Sequence, residues 1–290
     1  MDLLTQLNCA MDFVEENICN DIKLQEVSFA TTYSPYHFNR LFYYIAEIPL
    51  SEYIRKRKLT LAAMDLQTGN EKVIALAMKY GYDNADSFTR AFSKQHGVTP
   101  TLARQSGVNL KIFPPLTFQI KIKGVQEMNW RIEEHKAFEV FGIERIFKND
   151  ETDKVPGFWT ELRKNGEYER LFQAAGAKRG ENGMHCINAV CGYCEPGDDR
   201  FPYMICALKH PESKTENFTV AKIPETKWAV FKSDKSDQMG VEIPTLFNRA
   251  YSEWLPSSGY DKSNGPDMEI YYTEPDGKHY EEVWIPVVKK

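Results

Sequence analysis

Residues 81–100 decide the fold of the first part of the chain, and they read GYDNADSFTRAFSKQHGVTP. The segment FTRAF at 88–92 has an earlier counterpart, FNRLF at 38–42, at an offset of 50 residues. In each copy a small residue and a tight turn precede a helix whose two phenylalanines lie one helical turn apart. This order is typical of a helix-turn-helix unit, whose second helix enters the major groove of DNA. Two copies predict two recognition helices, about 34 Å apart on B-DNA.

The sequence around these two copies has the apolar spacing of short helices. Apolar residues recur at helical spacing from Leu3 to Ile18 and again from Pro49 to Leu66. Ser34 followed by Pro35 predicts the start of a helix. We therefore predict an all-α domain over residues 1–106 that contains the pair of helix-turn-helix units.

Asn39 and Arg40 are the polar residues of the first FNRLF helix. If its phenylalanines anchor the helix to the core, both polar side chains point away from that anchor. Arginine pairs with guanine and asparagine with adenine in the major groove. Core aromatic residues and a solvated arginine would explain a single copy, whereas two copies favour DNA binding.

From about residue 110 the apolar period changes from helical spacing to two. Residues 116–123 alternate between apolar and polar, which predicts a first strand inside a linker at 107–127. Helical patterns lie at 158–172 and 243–255. We predict an α+β domain over residues 128–290, with helices on one face of a sheet. Its predicted strands are 130–134, 137–146, 187–193, 203–209, 218–223, 227–232, 268–273 and 282–288.

The second domain contains an internal repeat with an offset of 90 residues. AFEVF at 137–141 aligns with KWAVF at 227–231. Each segment is followed by a helix that carries a tryptophan, Trp159 or Trp254, and then by two strands. The repeat predicts duplicated strand-helix-strand-strand halves with a groove between their helices.

Residues 5–106, and above all the stretch at 81–100, resemble the DNA-binding domain of AraC/XylS-type transcriptional regulators. The resemblance implies a regulator that binds double-stranded DNA. In the family, bases are read from positions that match Tyr36, Asn39 and Arg40 in the first recognition helix and Ala85, Asp86, Thr89 and Arg90 in the second. For Asp86 the alternative to base reading is a role as a helix cap or as the partner of a neighbouring cation.

Residues 128–288 resemble the GyrI-like (BmrR-type) effector-binding domain. The motifs that carry the resemblance are YSEWLPSSGY at 251–260, GPDMEIY at 265–271 and EVWIPV at 282–287. The resemblance implies a domain that binds a small effector. In related domains a buried glutamate contacts the ligand, and its position matches Glu282.

Glu282 shares one face of a strand with Trp284, because side chains alternate along a strand. A carboxylate among aromatic rings would attract a lipophilic cation by charge and by cation–π contacts. The alternative is that Glu281 and Glu282 form a solvated edge. Four further aromatic residues are candidates for the walls of this site, or plain core residues: Trp159, Tyr193, Tyr203 and Tyr271.

His185, Cys186, Cys191 and Cys194 could supply four zinc ligands. The segment has only one C-x-x-C, and alternation would place Cys186 and Cys191 on different faces of a strand. We therefore expect ordinary thiols, no metal and no cofactor. The chain lacks a nucleophile elbow, a phosphate loop and a dinucleotide glycine pattern.

Composition and charge limit the remaining functions. A length of 290 residues suggests two domains. No apolar run is long enough to span a membrane, and the start lacks a secretory signal, so we expect a cytoplasmic protein without a membrane partner. The net charge of −5 argues mildly against nucleic acid, although residues 31–107 carry 10 basic and 6 acidic side chains.

The sequence thus predicts a DNA-binding transcription regulator, not an enzyme, whose second domain binds a small effector or a partner protein. RNA polymerase is a candidate for that partner. One alternative is a GyrI-like small-molecule hydrolase fused to a DNA-binding domain, since some GyrI-like proteins resemble small hydrolases with a glutamate base. A third reading is a DNA-binding protein whose second domain only recruits partners.

Overall fold

The computed structural model describes residues 3–118, 127–148, 151–176, 184–194 and 200–290. By the contacts among its residues, the chain divides into two units. The first unit comprises residues 1–32 and 48–119, and the second comprises residues 33–47 and 120–290. This division differs from the expected one in two respects: the segment that carries FNRLF groups with the second unit, and the expected linker at 107–127 is divided between the units after residue 119.

The first unit is helical, as the apolar spacing predicted. Leu76, Phe88 and Phe92 are fully buried in its core. Its last long helix is capped by Asn84, whose side chain accepts a hydrogen bond from the amide of Ser87. The helices of this unit are α1 (Leu3–Glu16), α2 (Leu24–Phe29), α4 (Leu50–Thr68), α5 (Val73–Lys79), α6 (Ala85–His96) and α7 (Pro100–Ala103).

Helix α3 (Pro35–Ala46) belongs to the second unit and begins where the sequence predicted. The hydroxyl of Ser34 accepts a hydrogen bond from the amide of His37, and Pro35 occupies the first helical position. The C-cap after the helix is Glu47, which adopts a left-handed conformation with φ 59°.

The rest of the second unit is an antiparallel sheet with helices, which confirms the α+β prediction. The strand order is β1-β6-β9-β8-β3-β4-β2-β5, and β7 pairs with β9. The strands are β1 (Asn129–His135), β2 (Phe138–Lys148), β3 (Asn188–Cys191), β4 (Arg200–Leu208), β5 (Thr219–Ile223), β6 (Thr226–Lys232), β7 (Tyr260–Lys262), β8 (Asp267–Thr273) and β9 (His279–Lys289).

Three predicted elements differ in detail. Residues 116–118 form no strand, and the rest of the strand predicted at 116–123 lies outside the described residues. The helix predicted at 158–172 is two helices, α8 (Val155–Lys164) and α9 (Glu167–Ala174), because Gly166 adopts a left-handed conformation between them. The helix predicted at 243–255 is α10 (Ile243–Arg249), continued by a π-helical turn at Ala250–Trp254 and a short turn at Leu255–Ser257.

The sheet shows the predicted duplication. Strands β3, β4 and β2 form one half, and β8, β9 and β6 repeat this order in the other half. The halves join where β3 pairs with β8. Strand β1 extends the second half beside β6, and β5 extends the first half beside β2. Each half therefore receives its outermost strand from the segment that precedes the other half.

The alternation of side chains gives the sheet two distinct faces. On the helix face, Tyr203 and Cys191 pack with Phe158 and Leu171 of α8 and α9. The opposite face is the one that carries Met204, Val190 and Trp228, together with Met268, Ile270 and Tyr272 of β8. Since successive residues of a strand point to opposite sides, the residues Asp267, Glu269 and Tyr271 of β8 lie on the helix face.

Candidate functional site

A cavity of about 290 Å³ opens on the helix face of the sheet. Helix α8 contributes Trp159 to its wall, and α10 contributes Ile243. Tyr203 and Tyr271 reach it from the strands. The cavity thus lies between the helices of the two halves, where the repeat predicted a groove. Its volume is near the lower end of the range that small-molecule sites occupy.

Glu269 is the carboxylic acid of this cavity, and it is 6% exposed. Its Oε2 atom accepts hydrogen bonds from the hydroxyls of Tyr203 (2.7 Å) and Tyr271 (2.9 Å). Trp159 donates from its indole nitrogen to the Tyr203 oxygen at 2.9 Å. Burial raises the pKa of Glu269, against the opposing influence of Arg40 and the two tyrosine donors. The cavity therefore holds an acid that an incoming cation would help to ionise.

Helix α3 reaches the same cavity through Arg40 and Tyr44. The Arg40 side chain is 8% exposed, and its Nε atom lies 2.9 Å from Oδ2 of Asp267, a residue with no exposed surface. The guanidinium carbon lies 4.4 Å from the ring centre of Phe247 and 5.3 Å from that of Tyr44. The contact between Arg40 and Asp267 is an ion pair without hydrogen-bond alignment. The Nη2 atom of Arg40 has no hydrogen-bond partner among the described residues.

Asp267 holds a second cation besides Arg40. The ammonium of Lys262, which is also buried, lies 3.0 Å from Oδ1 of Asp267. Tyr251 donates to the Asp267 carboxylate at 3.2 Å. Burial lowers the pKa of Lys262, and the neighbouring carboxylate counteracts this. One fully buried carboxylate thus pairs with two cations. The loss of either cation would change the net charge of a desolvated cluster.

The other two residues expected to read DNA from the first recognition helix are buried as well. Tyr36 is 7% exposed and packs on Phe201, with 5.9 Å between ring centres. A Cβ atom at Gly192 would overlap the Tyr36 ring. Asn39 is 6% exposed. In this arrangement, Tyr36, Asn39 and Arg40 are turned inward and away from solvent.

The second expected recognition helix, α6, presents its residues to solvent. Asp86 and Arg90 are exposed, and Ala85 and Thr89 are partly exposed. The Arg90 guanidinium reaches back along its own helix, where Nε lies 3.4 Å from the main-chain oxygen of Asp86. The cap of α6 is Asn84, so the alternative role of Asp86 as the cap is wrong.

Glu282 lies on the opposite face of the sheet, and this corrects its expected grouping with Trp159, Tyr203 and Tyr271. Its carboxylate accepts two hydrogen bonds from Arg131, at 2.7 and 3.0 Å. The Tyr272 hydroxyl and the Trp284 indole each donate to it at 3.1 Å. Glu282 is therefore neither a solvated edge residue nor a wall of the cavity.

Tyr193 and Trp284 also leave the expected group. Both pack with the cluster of the opposite face, and the Tyr193 hydroxyl donates to Glu144. The structure thus brings together three of the six residues expected to bind a ligand. The reason is the alternation of the strands, since a position one residue away points to the other side of the sheet.

Glu269 is the residue that the sequence analysis missed. It lies in the GPDMEIY motif, two residues before Tyr271, which was already a candidate for the wall. Period-two spacing places both side chains on one face of a strand, so the signal was present. The pairing of Arg40 with Asp267 had no such signal, because it joins distant parts of the chain.

The thiols and the histidine of the C-x-x-C segment form no metal centre within the residues that the structure describes. Cys191 is buried on the helix face, and its sulfur lies 3.7 Å from the main-chain oxygen of Asp267. Burial raises the pKa of the Cys191 thiol to about 12. In the described part of the chain, no helix is both long and apolar enough to cross a membrane.

Comparisons with known proteins match both units. A helix-turn-helix domain family matches residues 27–106, and the family described as integron-associated effector binding protein matches residues 131–287. The transcriptional regulator Rob of Salmonella typhimurium is 32% identical over 274 residues, which cover 92% of this chain and 90% of Rob. This chain belongs to the AraC-type family of transcriptional regulators.

Two further relatives of this AraC-type regulator each cover one part of it. The multiple antibiotic resistance protein MarA of Escherichia coli is 31% identical over 102 residues, 35% of this chain and 80% of MarA. The solved structure of the Vibrio cholerae integron cassette protein VCH_CASS2 is 16% identical, covers 55% of this chain and 95% of its own, and has a TM-score of 0.39.

The predicted function is confirmed at the level of the family. The regulator has an N-terminal DNA-binding domain and a C-terminal effector-binding domain, in the order that Rob has. The relatives named Rob and MarA are described as a transcriptional regulator and a resistance protein. The comparisons do not support the alternative of a hydrolase.

Proposed function

We propose that the C-terminal domain of this AraC-type regulator binds a small lipophilic cation in the cavity of the helix face, with Glu269 as its counter-ion. The observation that carries the proposal is a buried carboxylic acid that faces an open cavity among aromatic rings. A cation in that cavity would gain both the charge of the ionised acid and the faces of Trp159 and Tyr271.

The neighbourhood of Glu269 fits this role better than that of Glu282. Glu269 has two hydroxyl donors on one oxygen, and Arg40, a cation that lines the same cavity, is already paired with Asp267. Glu282 has a guanidinium bound to both of its oxygens. A carboxylate that is already neutralised by a bidentate arginine offers little to a second cation.

On the DNA side, we propose that each recognition helix reads bases through its arginine, Arg40 in α3 and Arg90 in α6. The repeat of the aromatic-x-Arg-x-aromatic segment and the exposure of Arg90 support this. The regulator would act in the cytoplasm and contact RNA polymerase, and it would catalyse no reaction. Its relatedness to transcriptional regulators supports these three points.

The test is isothermal calorimetry on the full chain with two ligands of the same shape, phenyltrimethylammonium and neutral tert-butylbenzene. We expect Glu269→Gln to weaken binding of the cation about tenfold, which corresponds to about 1.4 kcal/mol. We expect the variant to leave binding of the neutral ligand unchanged. The matched control is Glu282→Gln, which removes a buried charge from the opposite face and should leave both affinities unchanged.

Two outcomes would overturn this assignment. An equal loss for the charged and the neutral ligand in Glu269→Gln would show a packing defect in place of a counter-ion. A loss of cation binding in Glu282→Gln alone would move the site to the opposite face of the sheet.

A further inference from the structure

We propose that the C-terminal domain holds α3 in a docked state that cannot read DNA, and that a cation in the cavity releases the helix. This inference rests on the proposed function, because it assigns a regulatory role to the same cavity. The residue that links the two events is Arg40, which lines the cavity and pairs with Asp267.

Docking and DNA reading exclude each other for this helix. A guanidinium that reads a guanine must come within hydrogen-bond distance of the base edge in the major groove. In the docked state the Arg40 side chain is 8% exposed and lies against a carboxylate without exposed surface. Tyr36 and Asn39 are buried at the same time. The helix must therefore leave this position before any of the three can contact a base.

Several contacts define the docked position besides the ion pair. The ring of Tyr44 stacks on Phe247, with 4.8 Å between ring centres, and on Tyr251, at 5.8 Å. The side chain of Asn248 donates to the main-chain oxygen of Tyr44 at 2.5 Å. These contacts come from α10 and the π-helical turn that follows it, which are the elements beside the cavity.

The docked state leaves Arg40 incompletely satisfied. Its Nη2 atom is buried and has no hydrogen-bond partner in the described part of the chain. A buried donor without a partner is unfavourable, and more so when it is charged. The arginine that holds the docked helix would therefore gain hydrogen bonds if it contacted a phosphate or a base of DNA.

A bound cation would act directly on this arginine. The cavity that holds Glu269 is also lined by Arg40, so the ligand and the guanidinium would share one desolvated space. Two positive charges in one desolvated space repel strongly. The ligand would thus favour the undocked state and raise the affinity for DNA. By linkage, DNA would raise the affinity for the ligand by the same factor.

The test compares two glycine substitutions in the full chain, Gly192→Ala and Gly277→Ala. Both glycines have a positive φ, 70° and 82°, so an alanine is strained at either position. At Gly192 the added methyl group would overlap the Tyr36 ring, whereas nothing lies within 4 Å of it at Gly277. Only the first variant should displace α3.

The readout is the dissociation constant of a duplex selected from a random library with the full chain. We expect Gly192→Ala to bind this duplex about tenfold more tightly, and Gly277→Ala to bind it as the unchanged chain does. Saturating phenyltrimethylammonium should tighten binding by the unchanged chain to a similar degree. The ligand should not tighten DNA binding by Gly192→Ala any further, since α3 is already released in that variant.

A second variant guards against failure of Gly192→Ala to fold. Asn248→Ala removes the hydrogen bond to the Tyr44 oxygen and leaves the glycines in place. We expect a smaller tightening of DNA binding, about threefold, and faster amide exchange in α3.

The outcomes separate this inference from the proposed function. If calorimetry shows that the cation binds but DNA affinity does not change, the release of α3 is wrong and the cavity assignment stands. If the cation does not bind while Gly192→Ala tightens DNA binding, the docked state stands and the cavity assignment is wrong. Equal effects of Gly192→Ala and Gly277→Ala would overturn the docked state itself.

Discussion

Helices α3 and α6 carry the same segment, an arginine between two phenylalanines, yet the two arginines have opposite surroundings. Arg40 of α3 is buried, paired with Asp267 and stacked on Phe247. Arg90 of α6 is exposed, and its Nε atom lies 3.4 Å from the main-chain oxygen of Asp86 in its own helix. The shared segment therefore determines that a helix forms and which of its sides is buried. The residues packed around each helix determine whether its arginine is buried or exposed.

This difference has a functional consequence for the pair. A protein with two recognition helices binds DNA most tightly when both helices can engage. In the structure, α6 exposes Arg90 to solvent, whereas Arg40 of α3 is engaged in an ion pair and an aromatic contact. If a cation releases α3 as proposed, the two copies of one motif differ in that only the availability of α3 is regulated.

The largest expected effect concerns the feature that the two helices share. Phe38 and Phe88 are the first phenylalanines of their segments, and both are 0% exposed. We expect Phe38→Ala and Phe88→Ala each to lower the free energy of unfolding by about 3–5 kcal/mol, because each leaves a large cavity. Urea denaturation followed by circular dichroism would measure this. A cost below about 1 kcal/mol for either variant would break the structural equivalence of the two copies.

A smaller effect should distinguish the two arginines. We expect Arg90→Ala to weaken binding of the selected duplex by about 1–3 kcal/mol, as for an arginine that contacts a base. We expect Arg40→Ala to cost less, because the variant loses a DNA contact but no longer has to break the pair with Asp267. Fluorescence anisotropy on the full chain would measure both, and Arg170→Ala in the second unit is the control.

The same comparison becomes sharper in the background of Gly192→Ala. Once α3 is displaced, Arg40 has no pair to break, so the cost of Arg40→Ala should rise towards that of Arg90→Ala. If the two costs differ equally in both backgrounds, docking does not explain the difference between the arginines.

Local signals predicted most of the fold. The cap at Ser34, the alternation of the strands and the offset of 90 residues led to the helices, the sheet and its duplicated halves. Errors arose where one residue changed the backbone, as at Gly166, which divides a predicted helix. They also arose at residues 116–118, which have a strand pattern, whereas the main chain of Leu116 and Phe118 hydrogen-bonds to the side chains of Tyr53 and Asn8.

The site was harder to predict than the fold, for a physical reason. The faces of β8 and β9 follow from spacing, but which face carries the cavity depends on where α8 and α10 pack. Spacing alone therefore could not show that Glu282, the glutamate chosen from the sequence, faces away from the cavity, and that Glu269 lines it. The pair of Arg40 and Asp267 joins residues from the two ends of the chain, and only the folded structure brings them together.

The smallest expected effect comes from pH, and it sharpens the comparison because a buried carboxyl group lies beside α3. The pKa of Glu269 is raised in the folded chain by burial. Below its ordinary value of 4.5, Glu269 is protonated in both the folded and the unfolded chain. As the pH rises past that value, the unfolded chain loses this proton first. The folded chain therefore loses stability until the pH exceeds the raised pKa.

Replacement of Glu269 should remove this pH-dependent step in stability. Relative to the unchanged chain, Glu269→Gln should gain stability as the pH rises from 4.5 through the raised pKa, and the gain should then level off. Tyr203→Phe removes a donor that holds the pKa of Glu269 down, so it should move the step to higher pH. Urea denaturation across this pH range would measure both. A difference between Glu269→Gln and the unchanged chain that is constant with pH would show that the carboxyl beside α3 does not titrate as its burial requires.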